Sequence, residues 1–596
     1  MAEHSSLLAA SASESPPAAR SRSNAADRVI ACDSCYKKKI KCEADSHQCN
    51  YCLHRNIACT FNRLVRSSKK RKARDQMAVR RWWDEPPAIQ PHSSSSSSTK
   101  VSMVNLGLIY LNGKRDTADE GRAWIESRTG EIVNMDRLIT MKLPWTRVES
   151  VRDFLAVPKL PARPIVERNI AAYCSSYQSL VFPVISQSLF TETLDLAYGS
   201  HGPGVDSAKA CVYAFLSVVA IFGLEKDLGD ALDCETYALA SQSFTVQIIN
   251  EMTVDGLRAL VMLTQHHYFL GDLQRAAVSV SMASRLVFKL GAHEGAGPTV
   301  YDRSLPECHL RDLFWLCYSF DQDICLRTGQ PPSTAGVFCS LDLPTNYAQL
   351  QDTNLQHPEQ TLTVTDATLP LYPWDLRLSR LKAEIYEALY STTACQRSNS
   401  ELVARIRSLD QALEHWRISL AREIRPTLHF SVGMSVDGKL NTQAVMLRLA
   451  YYHCVTIIHQ ATERHHDEPG ICSSLSLAIR ASRSSLAFLQ TALPVVKGEC
   501  FWVIIFYAIT SILTLFRNIL KNPLDPDMAD LVAVLQGVPN LIREIPIRTL
   551  TVGPMIHLRF LNNFATELAR LATCAIAKAE REVATSSVAS HELPGP

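Results

Sequence analysis

The chain has 596 residues, 46% of them hydrophobic and 20% charged, too long for one compact core and far from the composition of a disordered chain. Its formal net charge of +2 hides an asymmetry: residues 1–81 hold 17 Lys and Arg against 7 Asp and Glu, a net +10, and the remainder holds 44 against 52, a net −8. A basic arm on an acidic body points to a polyanionic partner.

Residues 1–28 are rich in Ser and Ala and read as a disordered tail. The apolar run 7–10 is too short for the core of a signal peptide, which argues against secretion. The eighteen cysteines are then expected in a reducing compartment. There, closely spaced thiols mean metal or catalysis, and scattered ones are small buried hydrophobes.

Residues 29–61 form a dense cysteine and lysine module. Cys32, Cys35, Cys42, Cys49, Cys52 and Cys59 are spaced C-x2-C-x6-C-x6-C-x2-C-x6-C, one half-motif repeated. Zinc takes four tetrahedral ligands, so two ions need eight contacts. Six thiolates supply eight only if two of them bridge both metals, and the count alone does not say which two. Six thiolates against two dications leave a core charge of −2, which neighbouring lysines and backbone amides moderate. Some thirty residues hold almost no apolar core, so metal binding is expected to hold this fold together. Disulfides fit poorly without a secretion signal, and a thiol store has no need of the lysine series 37–41.

The run from Cys32 to Cys42, C-D-S-C-Y-K-K-K-I-K-C, resembles the fungal binuclear zinc-cluster family of transcription factors. The resemblance implies that Cys32 and Cys49 are the bridging thiolates. It implies that Cys35 and Cys42 complete one zinc site and Cys52 and Cys59 the other. It also implies a short helix after the second cysteine that enters the DNA major groove, with Lys38 and Lys39 reading a CGG-type triplet. An ammonium suits guanine because it donates to the O6 and N7 acceptors displayed there. Lys37, Lys41, Arg55 and Arg63 are assigned to phosphates, which position a module without reading sequence. Two positions depart from the family: Tyr36 stands where Arg or Asn is usual, and His47 where a proline precedes the fourth cysteine. His47 is read as a solvated loop residue, because six cysteines already satisfy two ions.

Residues 62–100 are a basic and then Ser- and Pro-rich linker. Lys69, Lys70, Arg71, Lys72 and Arg74 read as a nuclear localisation signal and phosphate arm. The serine run 93–98 cannot bury enough surface to order itself. No sustained heptad follows the module, which leaves monomeric binding and a homodimer through the large domain both open. Residues 101–164 read as a variable connecting region.

From 165 to 582 apolar residues recur three and four apart, the period of helices, and an all-α regulatory domain is expected. The best pattern is 276–290, with Met282, Leu286 and Leu290 on one stripe, Ala283 and Val287 beside them, and Gly291 as C-cap. Further helical stretches are expected over 205–223, 232–270, 307–327, 374–420, 441–463, 471–520 and 554–582. Residues 501–516 are the one membrane candidate; at sixteen residues they are shorter than a span and read as a core helix. Residues 583–596 are read as a polar, disordered tail.

Two segments resemble the middle homology region of the same family, an all-helical regulatory domain. One runs from Ala283 through Arg285, Leu290 and Gly291 to His293. The other carries Arg311, Phe314, Trp315, Tyr318 and Asp321, then Gly329, Gln330 and Pro331. Phe182-Pro183-Val184 and 341–344 fall at fitting distances. Arg311 or Asp321 is expected in a buried ion pair, and Gln330 takes the place of the family's arginine. The twelve remaining cysteines are expected as core packing.

No G-x-S-x-G, phosphate loop or H-E-x-x-H occurs, so no enzyme is expected. The resemblance implies a nuclear regulator of RNA polymerase II transcription, activation being the family's commoner mode. It implies two zinc ions per chain, duplex DNA and the transcription machinery as partners, no membrane partner, and control of a metabolic or secondary-metabolite pathway.

Overall fold

The structure is a computed structural model that describes residues 32–39, 49, 52, 55, 60, 118–133, 157–224, 234–295, 304–344, 346–356, 370–431, 433–434, 441–464, 471–494, 501–544 and 552–591. Two compact units divide the chain at 94/95, inside the serine run. The first holds the cysteine module. Among the described residues the second has helices and no strand.

Local chemistry sets the helix ends. Val205–Phe222 lies between two glycines in left-handed conformation, Gly204 and Gly223, where a side chain would be strained. Thr253 caps Val254–Phe269 by accepting from the Gly256 amide, and Asp272 caps Leu273–Lys289 through the Arg275 amide. Ser304 and Glu307 form a capping box at the start of Leu305–Thr328.

Three expected helices are interrupted. The 232–270 stretch becomes Cys234–Gln242, Thr245–Glu251 and Val254–Phe269, broken where Met252 turns left-handed (φ 50°). The 374–420 stretch becomes Leu376–Ile385, a π-turn over Tyr386–Tyr390, and Asn399–Ser419, which Ser398 and Glu401 restart with a second capping box. Ile471–Ala492 stops before Pro494, and Phe501–Lys521 is a separate helix.

The Val254–Phe269 helix is buried along nearly its whole length and packs between Val205–Phe222 and Leu273–Lys289. Contact is close at Gly256, where an added Cβ would lie 2.9 Å from Ile248 Cγ2. Phe182 of the Phe-Pro-Val motif fills the core beside it, with ring centroids 5.5 Å from Phe269, 5.7 Å from Phe222 and 6.4 Å from Phe320. The stripe on Leu273–Lys289 is rotated from its expected position. Ala276, Val280, Ala283 and Val287 are buried, whereas Met282 and Leu290 are half-buried.

Arg311 and Asp321 are buried as expected, but among the described residues their hydrogen bonds go to neutral groups. Arg311 donates to the carbonyls of Ala292 (3.2 Å), His293 (3.4 Å) and Ser340, and lies 4.2 Å over the Phe314 ring. It thus clamps the turn after one motif to the loop after the other. Asp321 accepts from the Thr334 amide (2.7 Å) and hydroxyl (2.6 Å), just beyond Gly329-Gln330-Pro331. Backbone carbonyls receive Arg311, and a backbone amide with a hydroxyl serves Asp321, partners that composition does not reveal.

The ends of this unit extend beyond the expected domain. Ala118–Thr129, in the supposed connecting region, packs on the last helix and on Phe501–Lys521. Ile125 and Val133 are buried there, and Arg570 pairs with Glu131 at 3.3 Å. That last helix, Val552–His591, continues through 583–591, which corrects the disordered-tail reading for those residues. Its final turns propagate a helix already nucleated by the buried part.

From Phe506 to Leu520 the membrane candidate is buried or half-buried in this core. One described helix, Val205–Phe222, is long and apolar enough to cross a membrane by length and composition, and 78% of it is buried inside the unit.

Candidate metal centre

In the first unit a five-residue helix, Asp33–Lys37, starts directly after Cys32. Asp33 ties its start to the far end of the module: its amide donates to the Thr60 carbonyl (2.8 Å) and its carboxylate accepts from the Thr60 hydroxyl (2.9 Å). This clasp spans the whole cysteine series, and the sequence reading missed it. The available signal was an Asp directly following a metal-ligand cysteine, at a helix start. One turn puts Cys32 and Cys35 on the same side, and the Cys35 amide donates to Cys32 Sγ at 3.5 Å.

The helix therefore contains the second cysteine instead of following it, a shift from the expected placement. The Lys38 amide adds one bond to the Ser34 carbonyl (3.2 Å). Lys39 then turns left-handed (φ 54°) and ends the ladder. A non-glycine residue in that region carries a conformational cost of about 1–2 kcal/mol, so the module's closure holds Lys39 there. Lys37, Lys38, Lys39 and Arg55 are exposed.

Cys32, Cys35, Cys49 and Cys52 are buried with all four Sγ atoms within 4.8 Å of one another. Cys32 lies 3.6 Å from Cys52 and 3.9 Å from Cys49, and Cys35 lies 3.6 Å from Cys49. A tetrahedral zinc–thiolate site with bonds of about 2.3 Å separates its sulfurs by about 3.8 Å, so this donor set fits zinc. The Cys52 amide holds the Cys49 thiol down to about 6, whereas burial pushes the Cys52 thiol up to about 12. Bound zinc removes that difference by requiring thiolates throughout.

Cys42, Cys59, His47, Lys41, Arg63 and the basic run Lys69, Lys70, Arg71, Lys72 and Arg74 lie outside the described residues.

Residues 30–68 match the fungal Zn(2)-Cys(6) binuclear cluster domain. The chain carries this zinc-cluster domain. Such a domain binds two zinc ions through six cysteines, and four of the six are gathered here. The relatives of the chain are fungal. An ABC-transporter-regulating transcription factor of Aspergillus fumigatus is 26% identical over 326 residues, covering 51% of this chain and 34% of the relative. A namesake in Aspergillus oryzae is 22% identical over 544 residues, covering 83% and 59%. An uncharacterized transcriptional regulatory protein of Schizosaccharomyces pombe is 23% identical over 562 residues, covering 83% and 70%. The chain thus matches only about a third to three fifths of the two Aspergillus relatives' length. All three are named as transcription factors or regulators, none as an enzyme.

Proposed function

We propose that the protein is a nuclear, sequence-specific regulator of RNA polymerase II transcription whose zinc-cluster domain reads CGG-type triplets in the major groove of duplex DNA. The observation that carries this reading is the gathered thiol cluster within the C-x2-C-x6-C-x6-C-x2-C-x6-C series. Cys32 and Cys49 bridge the two ions; Cys35 with Cys42, and Cys52 with Cys59, complete the two sites. The thiol contacts support this assignment. Cys32 and Cys49 lie 3.9 Å apart, with Cys52 3.6 Å from Cys32 and Cys35 3.6 Å from Cys49, as expected of a bridging pair flanked by one terminal thiol of each site.

Lys38 and Lys39 contact base edges, and Lys37, Lys41, Arg55 and Arg63 contact phosphates. Three exposed lysines in succession at the end of a short helix support this division of labour. The run Lys69 to Arg74 serves as nuclear address and phosphate arm. Activation is the proposed mode. The names of the two Aspergillus relatives put transporter genes beside metabolic-pathway genes as targets.

Selection of random duplex DNA by the zinc-loaded full chain tests the reading. Enrichment of CGG-type triplets, abolished by a chelator, is expected. Lys39→Ala is expected to cost about 1–3 kcal/mol at the enriched site and little on random DNA. Two bound zincs without any enrichment overturns sequence reading by the cluster, and equal loss on both DNAs moves Lys39 to a phosphate.

A further inference from the structure

The centre of the helical unit holds a second polar cluster, which no part of the DNA-binding reading uses. Asp323 and Arg327 lie one turn apart on Leu305–Thr328, and Lys382 reaches them from Leu376–Ile385. The side chains of all three are at most 2% exposed. Asp323 accepts from Arg327 Nε, Lys382 Nζ and the Tyr268 hydroxyl. Among the described residues it is the only carboxylate within ion-pair distance of either cation. One carboxylate against two cations leaves one unbalanced positive charge in the core, where charge is costly unless paired.

Hydrogen bonding is incomplete at the same place. Arg327 Nη1 and Nη2 are buried without an acceptor, and both ring nitrogens of His453 are buried without a partner. Both groups border one ring: the Arg327 guanidinium lies 4.1 Å from the Tyr507 centroid, which lies 5.5 Å from the His453 ring. Aromatic faces soften the excess charge, with Phe506 at 5.4 Å and Tyr268 at 5.8 Å from Arg327, and Trp374 at 5.4 Å from Lys382. They offer no acceptor to the two free guanidinium nitrogens.

Another buried pair carries no excess charge. Arg258 meets one carboxylate, Asp255, at 2.7 Å, and its remaining bonds go to Thr193 (3.1 Å) and His309 (3.0 Å). There the two charges balance. At Arg327 the incomplete hydrogen bonding coincides with an unbalanced charge, and together they call for an acceptor carrying one negative charge.

We propose that this cluster is a buried site for a small monoanion of the size of formate or a halide, held by Arg327 Nη1 and Nη2 and an N–H of His453, with Lys382 supplying the balancing charge. Burial and the neighbouring cations keep His453 neutral, so one ring nitrogen carries the N–H that donates. These groups come from helices Leu305–Thr328, Leu376–Ile385 and Thr442–Gln460, so the bound ion links three elements of the unit. Occupancy is thereby coupled to the stability of the whole helical unit.

Thermal unfolding of the full zinc-loaded chain, followed by its helical circular dichroism, provides the test. Formate is titrated in place of gluconate, too bulky for an enclosed site, at constant ionic strength. A saturable rise in midpoint is expected, about 1–2 °C at ten times the half-saturating concentration. Lys382→Met, which leaves one cation against one carboxylate, should abolish the rise. No formate-specific rise in the unchanged protein, or an undiminished one in Lys382→Met, overturns the proposal. If Lys382→Met does not fold, crystals of the unchanged protein grown in bromide decide. An anomalous peak within hydrogen-bond reach of Arg327 Nη1 and Nη2 supports the site, and a water or an empty gap there overturns it.

Discussion

Cysteine plays opposite parts in the two units. In the first, Cys32, Cys35, Cys49 and Cys52 are buried against one another. In the second, Cys211, Cys317 and Cys454 are buried singly among helices, where burial pushes the Cys317 and Cys454 thiols up to about 12. A thiol alone in an apolar core stays protonated and packs as a small hydrophobe. Thiols gathered within bonding range of one ion are ligands. The core-packing reading of the other twelve needs a correction as well: Cys308 and Cys395 are exposed. Metal thus holds the first unit, and apolar burial with a few satisfied charges holds the second.

The sharpest break between them is metal removal. Chelation of the full chain is expected to abolish DNA binding while the helical circular dichroism of the second unit persists, because structural zinc supplies most of the folding free energy of so small a module. Joint loss of both signals would show that the helical unit also depends on metal.

Next in size is Asp323→Asn, which strips two buried cations of the one carboxylate that pairs with them among the described residues. A loss of about 3–5 kcal/mol in denaturant unfolding is expected, with zinc content unchanged. Arg311→Met comes third. It leaves the Ala292, His293 and Ser340 carbonyls without a donor and should cost about 1–3 kcal/mol in the same assay, again without touching metal.

The smallest effect is one of pH. Burial pushes the Asp312 carboxyl up to about 7, against the hydrogen bond from Tyr372 (2.7 Å) and the nearby Arg311. A carboxyl with a raised folded pKa binds more protons folded than unfolded, so its contribution to stability is lost as pH rises from about 4 to 7. Asp312→Asn should therefore gain stability relative to the parent across that window, by at most about 1.4 kcal/mol per pH unit, and level off above it. A gain independent of pH would reassign the effect to packing.

Much of this was legible in the residues themselves. Six cysteines at one repeated spacing define a zinc domain because chelation depends on short chain separations, which sequence displays directly. Helical periodicity marked the large unit for the same reason, since the 3.6-residue repeat is local. Helix interruptions were harder to see: Met252 adopts a left-handed turn with no glycine to announce it. The ion pair was sought at Arg311 and Asp321, and only the fold revealed that backbone carbonyls receive Arg311 and Thr334 binds Asp321, while Asp323 meets Lys382 from a helix 59 positions away.

Sequence alone thus determined the metal chemistry of the first unit and the helical character of the second, because both depend on neighbours within a few residues. Tertiary structure alone decided which buried charges find partners, that Ala118–Thr129 joins the last helix, and that Arg327 and His453 keep unpaired nitrogens in the core. Those outcomes depend on contacts between distant segments, whose pairing is set by packing geometry and not by any local pattern.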